Sequence, residues 1–280
     1  MSKLSKLKFS LFLLSAIISL SCSNNTVQKN KDIKIAVSIA PFADFTKKIV
    51  GNRAQVYTLI PPGQNAHSFD PNPETIKQIL NSDIFFRVGE VFNIEKQIIN
   101  NIDSESTQIV DCSNGIEIMD NDPHIWLSTQ NVKIITKNIL LSLTESFPQH
   151  KNYFANNRSK FIAKLDSINT KIEFILSKKK NKYLFVYHPA WTYFTNQFNL
   201  EQIGVEYHGK APKAKDLGNV LNRAKNKGIN CIFFDPHFDD AAVLTIAKSL
   251  GLKTDSMNPL PNDYLANLEE IMDKLEIHLK

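Results

Sequence analysis

Cysteine is scarce in this chain, with three in 280 residues and no CxxC spacing. That excludes thiolate zinc fingers and disulfide-built scaffolds. Neither HExxH nor G-x-S-x-G occurs, which removes the helical zinc-protease pair and the serine-hydrolase elbow. No aromatic-basic stripe is present. The charge balance of 33 basic and 28 acidic residues is mild, and the basic residues are spread along the chain. Lys178, Lys179 and Lys180 form the single short basic run and read as a solvated helix end, so nucleic acid is not an expected partner. There is no internal repeat and no low-complexity tract. What is present is a 42% hydrophobic fraction, enough to bury sizeable cores in one large or two modest domains.

The first 22 residues read as an export signal. Lys3, Lys6 and Lys8 precede an apolar stretch, Phe9 to Leu20, that is too short to span a membrane as a stable helix. It runs into Ser19-Leu20-Ser21-Cys22, which resembles a bacterial lipobox with Ser19 where leucine is usual. Residues 1–22 are therefore expected to be a lipoprotein signal peptide, with Cys22 lipidated and the polar residues 23–31 a flexible tether. Cys112 and Cys231 then remain. They read as two small buried thiols, although an exported chain would allow a disulfide.

Beyond the tether, short apolar runs alternate with helical patterns. Strands are expected at Ile33–Ile39, Val56–Ile60, Ile84–Val88, Tyr183–Tyr187, Ile203–Tyr207 and Cys231–Phe234. Helices are expected at Phe42–Val50, at Pro73–Leu80 with Asn72 as its cap, and at Ala241–Leu250 closed by Gly251. Such alternation argues for βαβ units and mostly parallel sheets. The pattern breaks between about 131 and 176. After Pro148, the residues Phe154, Phe161, Leu165, Ile168, Ile172 and Ile175 recur at helical spacing, giving a helix near 40 Å long. The expected fold is α/β, with two lobes of mostly parallel sheet joined by one long rigid helix. The N-terminal lobe covers 32–147, the linking helix 148–179 and the C-terminal lobe 180–280.

Three of the seven histidines share a context. His67 lies in the loop PPGQNAHSFDP, His124 in DNDPHIWL, and His188 in YLFVYHPAWTYF at the end of a strand. In open α/β sheets, ligands bind beyond the carboxyl ends of strands. Two histidines from the first lobe and one from the second can therefore converge on the inter-lobe cleft. Imidazoles suit Zn²⁺, and a four-coordinate site accepts a carboxylate as well. Asp255 in GLKTDSMNPL is the expected fourth ligand. Trp126 and Trp191 closely follow two of these histidines, and read both as core and as an apolar shell around the metal.

These segments resemble the substrate-binding proteins of metal ABC importers, the zinc/manganese group. PPGQNAHSFDPNPETIKQI, DPHIWLS and YHPAWTYF resemble its three histidine-ligand segments. IGVEYHGKAPKAKDL and IFFDPHFDDAAVLTIAKSLG resemble the stretches that follow. The resemblance runs from about Ile33 to the C-terminus. It implies a rigid two-lobed lipoprotein at the periplasm or cell surface that binds Zn²⁺ and delivers it, as a monomer, to a membrane permease. His67, His124 and His188 match the histidine ligands of zinc-type members, and Asp255 matches a carboxylate ligand. Manganese-type members usually carry Glu where His188 stands. Three imidazoles favour Zn²⁺ over Mn²⁺. Ala66 replaces a frequent proline, and no His-rich loop precedes His124. His237 stands where glutamine is frequent and is a candidate auxiliary ligand, while His208 beside Glu206 reads as structural. The competing readings are a Mn²⁺-binding member of the same group, a zinc-dependent hydrolase with an open fourth position, and a metal-stabilised surface adhesin. If Asp255 closes the shell, no water is left to activate and the chain is not an enzyme.

Overall fold

The computed structural model describes residues 32–64, 69–206, 213–237 and 241–280. The first half of the chain runs β1 (Ile33–Ile39), α1 (Ala40–Val50), β2 (Ala54–Ile60), α2 (Pro73–Leu80), β3 (Ile84–Arg87), α3 (Asn93–Ile99), β4 (Gln108–Asp111) and α4 (Thr129–Ser146). A 27-residue helix, α5 (Lys151–Ser177), follows a 3₁₀ turn at Pro148–His150. The second half runs β5 (Tyr183–Val186), α6 (Thr192–Gln197), β6 (Glu201–Gly204), α7 (Ala214–Asn226), β7 (Cys231–Phe234), α8 (Ala241–Leu250), β8 (Lys253–Ser256) and α9 (Tyr264–His278). Each half folds into a four-stranded, wholly parallel sheet, in the orders β2-β1-β3-β4 and β6-β5-β7-β8. The two halves thus share one β-α-β-α-β-α-β topology without sharing a sequence repeat.

The local sequence explains most of these elements. In β1 all residues but Lys34 are buried, as expected for a central parallel strand covered on both faces. Asn72 caps α2 by accepting from the Thr75 amide at 2.9 Å, and Pro73 occupies the first turn, where its missing N–H costs nothing. The sheet edges depart from expectation. Strand β6 lies two residues before the expected 203–207, and β4 and β8 carried no strand signal. Their sequences, the half-apolar QIVD and the polar KTDS, pair on one side only.

Helix α5 spans roughly 40 Å at 1.5 Å per residue. It buries Phe154, Phe161, Leu165, Ile168, Asn169, Ile172 and Leu176, packing against α1, α4 and α9. Leu176 takes the deep position expected of Ile175, which is half-buried. Phe45 of α1 meets Phe161 at 5.8 Å between ring centroids and Tyr264 of α9 at 5.0 Å. One continuous apolar core therefore runs from the first sheet, along α5, into the second half. A polar knot reinforces it: Gln197 Nε2 donates to Thr129 Oγ1 and Asn169 Oδ1, both at 2.6 Å, and Ser128 Oγ donates to Gln197 Oε1 at 2.7 Å. Cys112 and Cys231 are both buried and unbridged. Burial pushes both thiols up, Cys112 far above its ordinary value and Cys231 to about 12, so neither is a thiolate at neutral pH. Among the described residues no helix is long and apolar enough to cross a membrane.

Candidate metal centre

His124 sits in the turn Asp122-Pro123-His124 that opens a buried 3₁₀ turn, Ile125–Leu127. Proline fixes its own φ and makes the turn stiff. Asp122 Oδ1 accepts the His124 backbone amide at 2.9 Å and contacts His124 Nδ1 at 2.6 Å. Burial alone would raise the Asp122 carboxyl, but the hydrogen bonds and charge of His124 outweigh it and hold the carboxyl below the usual range. In the second half, His188 follows β5, and its Nδ1 lies 2.8 Å from Glu206 Oε2. Gly204 makes that placement available: a Cβ there would stand 2.7 Å from Pro189 Cβ, so only glycine lets the loop carrying His188 close onto β6.

The fold brings His124 and His188 together. Their ring centroids lie 5.4 Å apart at an interplanar angle of 76°. With Nδ1 of each ring facing a carboxylate, the neutral tautomer carries its proton on Nδ1 and its lone pair on Nε2. This carboxylate–imidazole arrangement orients a histidine toward a metal and strengthens its basicity. Trp126 fixes the pair in place. Its indole Nε1 donates to Pro259 O across the halves at 2.7 Å, its carbonyl accepts from Tyr264 Oη at 2.8 Å, and its ring lies 5.3 Å from the His124 ring. Tyr193 Oη donates to Asp122 O at 2.9 Å and accepts from the Met119 amide at 3.0 Å. A small cavity of about 10 Å³, the size of one water, lies behind His188 and is lined by Trp191, Asp235, Met257 and Pro259 among others.

The other expected site residues are placed differently. His67 lies outside the described residues, as do Cys22 and His208. Asp255, the expected fourth ligand, forms no metal-sized group with the described histidines. It lies within β8, opposite Phe233, rather than beyond the strand end. Its carboxylate faces α9, where it accepts from His278 Nε2 at 2.9 Å and lies 3.5 Å from Lys274 Nζ. Inside β8, where successive side chains alternate between faces, Asp255 meets His278 and Lys274 of α9. Burial works against its charge, but the His278 hydrogen bond and neighbouring donors hold its carboxyl below the usual range. Among the described residues no three His, Cys, Asp or Glu side chains form one metal-sized group. His237 is held by Asp235 in a turn of its own after β7. Sequence reasoning missed Asp122 and Glu206 as the carboxylates behind the histidines. The D-P-H spacing carried the signal for the first.

A model of the family described as zinc-uptake complex component A, periplasmic (ZnuA), matches residues 35–277. The chain belongs to the ZnuA family. It is 26% identical over 279 residues to the zinc-binding lipoprotein AdcA of Streptococcus pneumoniae strain R6, covering 90% of this chain but only 55% of AdcA. This ZnuA-family chain therefore spans about half the length of that relative. It is 25% identical to the high-affinity zinc uptake system protein ZnuA of Bacillus subtilis, covering 89% of this chain and 88% of that one. A crystal structure of a ZnuA deletion mutant with zinc bound superposes with a TM-score of 0.84 at 27% identity, covering 89% of this chain and 98% of the other. The expected fold, two parallel α/β lobes tied by a long helix, is the fold of that family.

Proposed function

We propose that this chain binds Zn²⁺ between its two lobes and delivers it to an ABC importer from outside the cytoplasm. The observation that carries this reading is the His124–His188 pair. Two rings from different halves meet at 5.4 Å, and each has Nδ1 against a carboxylate, so each directs Nε2 as a zinc ligand. His67, in the loop after β2, is the proposed third imidazole. Zinc-binding and zinc-uptake relatives, one of them solved with zinc bound, support the choice of metal. So does an all-imidazole set, which the harder Mn²⁺ disfavours. Relatives described as metal ABC transporter substrate-binding lipoproteins support the importer and the anchor, with Cys22 the proposed lipidated residue. The role is binding and release of a cargo ion without chemical turnover.

Competitive titration of the apo-protein tests the metal. Zn²⁺ should bind far more tightly than Mn²⁺, and His67→Ala, His124→Ala and His188→Ala should each lower zinc affinity by about 100-fold or more, beyond the loss typical of outer-shell partners. Tighter binding of Mn²⁺, or three silent substitutions, would overturn the reading.

A further inference from the structure

Three described histidines keep Nδ1 against a carboxylate: His124 on Asp122, His188 on Glu206 and His237 on Asp235. The first and third are copies of one device. Asp122-Pro123-His124 and Asp235-Pro236-His237 have the same sequence, and in both the aspartate Oδ1 takes the histidine's backbone amide, at 2.9 and 3.0 Å, and its Nδ1, at 2.6 and 2.8 Å. His278 shows the contrast. It gives Nε2 to Asp255 and packs edge-on against Phe233 at 5.6 Å, as a core histidine does. His237 has the orientation of a ligand.

Its position fits that orientation. Asp235 lines the small cavity behind His188. His237 Cδ2 lies 3.7 Å from where a Cβ on Gly63 would stand, and Gly63 belongs to the turn of residues 61–64 four positions before His67. His237 thus stands where the carboxyl end of the second sheet faces the first-lobe loop. It is more open than the inner pair, with a side chain 25% exposed against 12% for His124 and 10% for His188. The described histidines do not form one metal-sized group, so His237 is not a third member of the inner pair.

We propose that His237 is a transit ligand at the cleft rim. Zn²⁺ exchanges one bound water for His237 Nε2 on arrival, and then exchanges His237 for the inner imidazoles. Release retraces the same steps. This rests on the proposed zinc site, and it adds a kinetic role to that site rather than a fourth permanent ligand. A transit ligand changes how fast equilibrium is reached and not where it lies.

The test is stopped-flow zinc exchange between the full chain and a chromogenic chelator, with equilibrium affinity measured alongside. His237→Ala and His237→Gln should both slow uptake and release by roughly tenfold, at the low end of what local ion capture contributes to on-rates at a cleft, with affinity unchanged. The glutamine variant keeps the side-chain bulk and can still donate to Asp235, so it separates lost ligation from a disturbed turn. Unchanged rates in both variants would overturn the inference and leave the zinc site standing. A large loss of affinity with altered Co²⁺ absorption would overturn it in favour of a permanent fourth ligand. Failure of the unmodified chain to bind Zn²⁺ would overturn the site and the inference together.

Discussion

The two sheets have the same strand order but treat their central crevice in opposite ways. In a doubly wound sheet, the natural binding place is where successive connections leave in opposite directions. That point falls between β1 and β3 in the first lobe and between β5 and β7 in the second. The first is plugged. Glu95 from α3 accepts from Ser38 Oγ, from the Val88 amide at 2.6 Å and from the Gly89 amide at 3.3 Å, and is 1% exposed. The second is lined by His188 and Asp235 around the small cavity. The first lobe instead offers its proposed ligand from a turn beyond β4, where Asp122 and Trp126 hold His124. One topology therefore holds a filled crevice in one lobe and, in the other, the crevice that the proposed zinc site uses. The difference is that α3 fills the first crevice with Glu95, whereas the turns after β5 and β7 line the second with His188 and Asp235.

The largest test of this asymmetry is Trp126→Ala. It removes a fully buried indole and its bond to Pro259 across the lobes, and should cost about 3–5 kcal/mol in urea unfolding. A loss under about 1 kcal/mol would mean that Trp126 contributes little to holding the halves together. The plug gives the next effect. Burial raises the Glu95 carboxyl from 4.5 to about 7, against the hydrogen bonds of Ser38, Val88 and Gly89. Between those two values the unfolded chain has released the proton and the folded chain retains it. Stability of the apo-protein should therefore fall by about 3 kcal/mol as pH rises through this window, then level off. Glu95→Gln should remove that slope, and an unchanged slope in thermal unfolding would show that another group is responsible. The smallest effects separate two aspartates. Asp122→Asn should weaken zinc binding by about 10–100-fold, because it unsettles the ring behind a ligand. Asp255→Asn should leave zinc affinity unaltered, since its carboxylate serves α9. A larger loss at Asp255 than at Asp122, measured by titration, would return the fourth ligand to β8.

The centre of each sheet was legible in the sequence, as was the β2 edge, but edges β4 and β8 were not, and edge β6 begins two residues before its expected start. IKIAVSI, IFFR, YLFV and CIFF occupy central strands whose two faces are covered, so their apolar runs stand out. QIVD, EQIG and KTDS form edges with one partner each, where polar residues are tolerated and the signal fades. The same fading hides that Asp255 lies inside β8. His124 and His188 were legible because each follows a strand or turn signal at the rim. Their carboxylate partners were less so. Asp122 is readable from D-P-H, but Glu206 lies 18 residues from His188 and is brought to it only by the pairing of β5 with β6.

The same packing that fixes the inner histidines also decides where this chain absorbs and emits light. It has two tryptophans, one supplied by each lobe. Trp126 lies 5.3 Å from the His124 ring, and Trp191 lines the cavity shared with His188; both are almost wholly buried. Every indole in the molecule is thus an antenna beside the cleft, with none on the outer surface to dilute its signal. Ultraviolet emission from the unlabelled chain should therefore change in colour or brightness when a dication binds at the proposed site, without any dye.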